Sequence, residues 1–120
     1  MAEIFTLFYH YQIVLNLYHF QTKSYAGHKA SDKHLERFRE HFDGFLEVYQ
    51  GIFGKIKFLR PHNIQVHNIS KTKQITDITL ELNKYLVDLA EELEDHGDLV
   101  NIIDEIIADN NQFLYLLTFD

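Results

Sequence analysis

The apolar residues of the chain recur at steps of three and four over four separate stretches, which is the spacing of one face of an α-helix. We predict helices over residues 3–22, 28–53, 72–96 and 98–118. One proline and five glycines in the whole chain favour long helices over a turn-rich β fold. At 120 residues the chain is long enough for one hydrophobic core, so we predict a single all-α domain over residues 1–120.

The connection between the second and third helices is the longest one predicted. Gly51, Gly54 and Pro61 interrupt the apolar pattern, and a polar run follows over residues 62–71. About fifteen residues can span the roughly 35 Å length of a bundle, at about 3.3 Å per residue. A long crossover between helices 2 and 3 is the ferritin-like connection, so we predict an antiparallel four-helix bundle of ferritin-like topology.

The second predicted helix carries a polar stripe beside its apolar face. His28 and Asp32 are four residues apart, and the same step separates Asp43 from Glu47. Each pair therefore lies one turn apart on one side of the helix, and all four fall within roughly 100° of arc at about 100° per residue. An imidazole with a carboxylate, or two carboxylates, can hold one metal ion together at this spacing.

The two pairs cannot share a metal ion within one chain. His28 and Asp43 are fifteen residues apart, which is roughly 22 Å along a helix axis at about 1.5 Å per residue. If two copies of the helix cross about a two-fold axis, the first pair of one copy approaches the second pair of the other. The pattern therefore predicts two identical metal sites per dimer, each shared between subunits.

Residues 19–47 carry a more specific pattern, with His19 and Phe20 ahead of the two pairs. This run resembles the Dps-like branch of the ferritin-like proteins. In that family a histidine closes the first helix and an aromatic residue follows it, usually Trp where this chain has Phe. A His-x-x-x-Asp motif then opens the second helix and an Asp-x-x-x-Glu motif follows it, and these correspond to His28–Asp32 and Asp43–Glu47 here.

The resemblance implies a ferroxidase site at a dimer interface, with its ligands drawn from His19, His28, Asp32, Asp43 and Glu47. The last four are the implied catalytic residues, and His19 completes or orients the site. Nitrogen and carboxylate ligands without sulfur suit Fe(II), and Mn or Zn can compete for them. The implied reaction oxidises Fe(II) with peroxide or dioxygen, for iron sequestration and protection against oxidative stress. The implied partner is a second copy in a two-fold dimer, and the family also builds twelve-subunit cages.

Composition and charge argue against several other functions. The chain has no cysteine, which excludes disulfides, thiolate metal sites and cysteine nucleophiles, and is compatible with a reducing cytoplasm. Its formal net charge of −7 argues against direct DNA binding, which needs lysine and arginine to displace counterions. The apolar stretch over residues 1–20 contains several polar side chains and no basic leader, so we expect a buried helix and no membrane partner.

Three other functions are compatible with parts of this pattern. The main alternative is a non-enzymatic four-helix dimerisation module whose acidic stripe is only a dimer seam. A hemerythrin-like oxygen carrier would need several histidines that converge inside one bundle, and the eight histidines here are scattered. A ferritin-like metal protein that forms no cage is the third. Stoichiometric binding of iron would separate the metal-binding proteins from the module.

Overall fold

The chain folds into four α-helices and no strand over residues 2–119, which are the residues that the computed structural model describes. The helices are α1 (Ala2–Gln21), α2 (Tyr25–Phe53), α3 (Thr72–Glu92) and α4 (Gly97–Leu116). The prediction of an all-α chain with four helices is therefore confirmed, and the arrangement is compatible with a helical bundle. None of the described helices is both long and apolar enough to cross a membrane.

The α2 helix begins at Tyr25, ahead of the predicted start at His28. The Ser24 hydroxyl accepts a hydrogen bond of 2.9 Å from the Gly27 N–H and so caps the first turn. The predicted helices leave Gly27 in the turn between them, but Gly27 lies inside α2, is buried and has no positive φ. Glycine fits this position for a steric reason, because a Cβ there would overlap the Tyr18 hydroxyl and lie 3.0 Å from Tyr18 Cζ.

The apolar stripes form one continuous core. Residues of all four helices contribute, with Phe8 and Phe45 of the first two helices fully buried. Aromatic rings connect α1 to α2, since the centroids of Phe8 and Phe42 are 4.7 Å apart at a steep angle. The α2 helix packs against both α1 and α4, while α3 packs against α4 and touches α1. Apolar residues at steps of three and four come onto one face when a segment is helical, so burying them in this core stabilises the four helices.

A layer of polar side chains crosses this apolar core. The Tyr11 hydroxyl of α1 lies 3.1 Å from His34 Nε2 of α2 and 2.8 Å from Thr79 Oγ1 of α3. On α4, Asn110 donates a 2.8 Å hydrogen bond to Asn83 Oδ1 of α3. Burial lowers the pKa of His34 to about 4, so the imidazole is neutral at pH 7. The buried side chains of Tyr11, His34, Thr79 and Asn110 therefore connect the helices at one level, because a buried polar group needs a hydrogen-bond partner away from water.

Residues 54–71 form no helix and connect α2 to α3. Near the start of α1, Phe58 packs edge-on against Phe5 at 5.5 Å, and His62 Nδ1 lies 2.6 Å from Thr6 Oγ1. Near the end of α1, the Gln21 side chain accepts a 2.7 Å hydrogen bond from the backbone N–H of Ile69, which is fully buried. The connection therefore contacts α1 at both of its ends, and this positions the start of α3.

Candidate functional site

The predicted ligands His19 and His28 lie against each other where α1 ends and α2 begins. Their rings stack with centroids 3.9 Å apart and planes 18° from parallel. His19 Nδ1–H donates to the backbone carbonyl of His28 at 2.8 Å, and His28 Nδ1–H donates to the carbonyl of His19 at the same distance. We call this reciprocal arrangement the histidine clasp.

The histidine clasp determines which ring nitrogens remain available. A carbonyl oxygen can only accept a hydrogen bond, so each Nδ1 must carry the proton. In the neutral ring the lone pair is then on Nε2, and a backbone carbonyl behind a histidine is a common way to orient a metal ligand. The buried Ser31 hydroxyl reinforces the arrangement, since it donates to the His28 carbonyl at 3.1 Å and lies 3.3 Å from His19 Nδ1.

The three predicted carboxylate ligands lie on the exposed side of α2. Asp32, Asp43 and Glu47 are all exposed, and Asp32 follows His28 by one helical turn. No group of three or more His, Asp or Glu side chains within residues 2–119 has the geometry to hold a metal ion. Of the predicted ligands, one chain brings only the two histidines into direct contact.

Exposed aromatic side chains flank the histidine clasp. Phe20 is 78% exposed and Tyr25 is 71% exposed, one on each side of the turn that joins α1 to α2. Sequence reasoning identified Phe20 through the family pattern and missed Tyr25, which lies in what was predicted to be a turn. Large aromatic residues in such positions are typical of surfaces that another molecule covers.

A second cluster of titratable side chains connects α2 to α4, and sequence reasoning missed it. His41 Nε2 lies 3.1 Å from Glu105 Oε2, and His41 Nδ1 lies 2.8 Å from Asp109 Oδ2. The available signal was the four-residue step between Glu105 and Asp109, which puts both carboxylates on one face of α4. Nothing in the sequence placed His41 opposite them, because that depends on how the two helices pack.

The fold and these residues define an all-α protein of four helices with a histidine pair at one end and carboxylates along α2. The chain belongs to the family of unknown function DUF5856, whose family model matches residues 19–117. No curated protein matches the chain, and no solved structure does.

Proposed function

We propose that this chain is a Dps-like or ferritin-like iron-binding protein that oxidises Fe(II) at sites shared between two copies. The oxidant is peroxide or dioxygen, and the purpose is iron sequestration and protection from oxidative damage. One copy supplies His19, His28 and Asp32, and a second copy supplies Asp43 and Glu47. Iron is the substrate of this reaction, and Mn or Zn can compete for the same ligands.

The observation that carries the proposal is the histidine clasp. With both Nδ1 atoms donating to carbonyls, the neutral form of each of these two stacked rings carries its lone pair on Nε2. Asp32 one turn along α2 adds a carboxylate on the same surface, so three of the five proposed ligands come from one end of one chain.

A ferritin-like bundle with a long crossover is part of the proposal. The contacts Tyr11–His34 and Phe8–Phe42 support α1 and α2 running in opposite directions. The contact between Tyr18 and Thr72, together with Tyr11–Thr79, supports the same for α1 and α3. In that arrangement α2 and α3 run the same way, and residues 54–71 cross the length of the bundle beside α1.

The chemistry assigns separate roles to nitrogen and oxygen ligands. The Nε2 atoms of His19 and His28 bind Fe(II) without adding charge, and the carboxylates of Asp43 and Glu47 favour the ferric state that forms on oxidation. Each Fe(II) gives up one electron, so two ions reduce one peroxide, with protons, to water.

Anaerobic Fe(II) titration, followed by addition of peroxide, tests this function. We expect saturable binding in the parent protein, and at least about a tenfold loss of affinity and oxidation rate in Asp43→Asn/Glu47→Gln. The matched control is Asp77→Asn/Glu81→Gln, because it removes an exposed Asp-x-x-x-Glu pair from α3 instead of α2. Rates in the α2 variant that equal those of the parent would refute the ferroxidase. If the parent binds no iron at all, the alternative dimerisation module is the better description.

A further inference from the structure

The chain contains a basic segment, although its overall net charge is negative. No Asp or Glu occurs between Glu47 and Asp77, and this stretch holds five of the eleven Lys and Arg residues. It therefore carries +5, while the other six basic residues and all eighteen acidic ones give −12 to the remainder. Lys55, Lys57 and Arg60 are exposed, and none of them forms an ion pair within residues 2–119. We call residues 55–60 the basic loop.

The basic loop also exposes apolar side chains. Leu59 is 101% exposed and Phe58 is 44% exposed. At the end of α2, Phe53 is 43% exposed and lines a small cavity together with Lys55 and Leu59. An apolar side chain without cover, surrounded by charges, is the usual composition of a protein interface.

A cavity of the opposite charge lies at the same end of the molecule. It has a volume of about 560 Å³ and is bounded by the start of α1, the ends of α2 and α3, and the turn that precedes α4. Asp88, Glu92 and Asp95 line it beside the rings of Phe53 and Tyr85, and no Lys or Arg is among its described lining residues. Burial, and then the Glu92 carboxylate, raise the pKa of Tyr85 to about 12, which agrees with a negative potential. We call it the acidic cavity.

The basic loop and the acidic cavity adjoin. Glu3 lines the acidic cavity and also a neighbouring cavity of about 470 Å³ that Lys57, Leu59 and Arg60 line. A nucleic acid or an anionic membrane that approached the loop would also approach the carboxylates beside it and be repelled. A partner that fits both surfaces must carry both charges side by side, and a second copy of this chain does.

We infer that two copies of this chain meet at this end about a two-fold axis, with the basic loop of each copy on the acidic cavity of the other. A two-fold axis makes both contacts at once, because each surface of one copy faces the complementary surface of its partner. Leu59 then enters an aromatic-walled cavity, and the lysines face carboxylates. This inference goes beyond the proposed function and needs no metal, since His19 lies at the other end of α1.

Charge-swapped variants test the contact. Lys57→Glu/Arg60→Glu makes the loop acidic, and Asp88→Lys/Glu92→Lys/Asp95→Lys makes the cavity basic, since only Glu3 then remains acidic in its lining. We expect each variant alone to self-associate at least about tenfold more weakly than the parent, because like charges then face each other in both contacts. In an equimolar mixture both contacts become attractive again, so the mass from light scattering returns to the parent value. The parent should also dissociate more readily at high salt.

Controls make the outcome decisive. Lys23→Glu/Lys84→Glu changes the net charge by the same amount as the loop variant at exposed positions outside the loop and should leave the mass unchanged. Leu59→Asp should dissociate the parent, because a carboxylate then faces the acidic cavity in both contacts. An unchanged mass in both swapped variants overturns the inference, as does a loss that mixing fails to restore. Loop variants that lose binding to anionic vesicles at unchanged mass would assign the loop to lipid instead. None of these outcomes depends on Fe(II) binding. An absence of iron binding would therefore refute the proposed function without refuting the contact between basic loop and acidic cavity.

Discussion

His19 and His28 each donate an Nδ1 proton to the other's backbone carbonyl, so two side chains and two peptide groups hold one another in place. The bonds connect the last turn of α1 to the first turn of α2. Because the acceptors are backbone atoms, neither ring can rotate without losing a hydrogen bond. The clasp therefore holds the two rings rigidly and contributes to the stability of the helix pair.

Replacing His28 by Ala should affect iron binding and stability together. The change removes one proposed ligand and leaves the His19 ring without its stacked neighbour. We expect Fe(II) affinity to fall about tenfold or more and the free energy of unfolding to fall by about 1–2 kcal/mol. Iron titration and urea unfolding measure the two effects. His67→Ala, on an exposed part of the 54–71 connection, is the control and should change neither. A variant that loses stability and retains full affinity would remove His28 from the ligand set.

Gly27→Ala and Gly44→Ala should have opposite effects although both lie within α2. The new methyl group at Gly27 meets the Tyr18 hydroxyl, which is fully buried and bonded to Thr72 at 3.0 Å. We expect a loss of about 1–3 kcal/mol in the free energy of unfolding from this overlap. Beyond its chain neighbours and the local helix backbone, no atom lies within 4 Å of a Cβ at Gly44, so that change should stabilise the helix by about 0.5–1 kcal/mol. Urea midpoints that move in the same direction for both variants would contradict the steric role of Gly27.

The Tyr11 hydroxyl joins two helices to α1, and removing it should cost more than one ordinary hydrogen bond. In Tyr11→Phe, both His34 and Thr79 lose a buried partner, which should lower the free energy of unfolding by about 1–3 kcal/mol. Thr79→Val removes one of the same contacts, so the double variant should lose less than the sum of the two single losses. A double-mutant cycle by chemical denaturation measures this coupling. Strict additivity would show that the three groups do not act as one network.

Acid should destabilise the protein through His34. Its imidazole is 4% exposed, and burial lowers its pKa from 6.5 to about 4 in the folded chain. Between those two values the unfolded chain binds a proton and the folded chain does not, so stability falls as the pH drops from about 6.5 to about 4. The contribution lost over that window is about 3 kcal/mol. His34→Gln removes the titrating group, and its stability should depend less on pH in the same window. Equal pH dependence for parent and variant would contradict this assignment.

Helical spacing was sufficient to predict most of the core. Phe38, Phe42 and Phe45 recur at steps of four and three along the apolar face predicted for the second helix, and each is buried. This works because an apolar side chain at a core position is favoured regardless of its partner. The same reasoning missed Thr79 and Asn110, which continue the stripes from Ile75 and Ile106 at steps of four. A polar residue on an apolar stripe is a sequence signal for a buried hydrogen bond.

Some features of the candidate site could likewise be predicted from the sequence, and others could not. Adjacent helices brought His19 and His28 together, as their positions on either side of one short turn allow. Their reciprocal bonds could not be predicted, since they depend on where two carbonyl groups point after the turn closes. Asp43 and Glu47 are exposed, but pairing them with histidines of a second copy remains a prediction. One sequence determines where a helix face lies and does not determine what another molecule places against it.

The 54–71 connection divides the chain into two helical pairs that share one interior. Tyr11 and His34 precede it, whereas Thr79 and Asn110 follow it, and the polar layer needs both pairs. An exposed segment without helix is also where a protease cuts first. Cutting at the exposed residues 65–67 would leave the contacts of Phe58, His62 and Ile69 with α1 in place and remove a tether, whose entropic contribution changes slowly with loop length. The molecule is therefore suited to fragment complementation, in which two separately made halves recover one fold by finding each other.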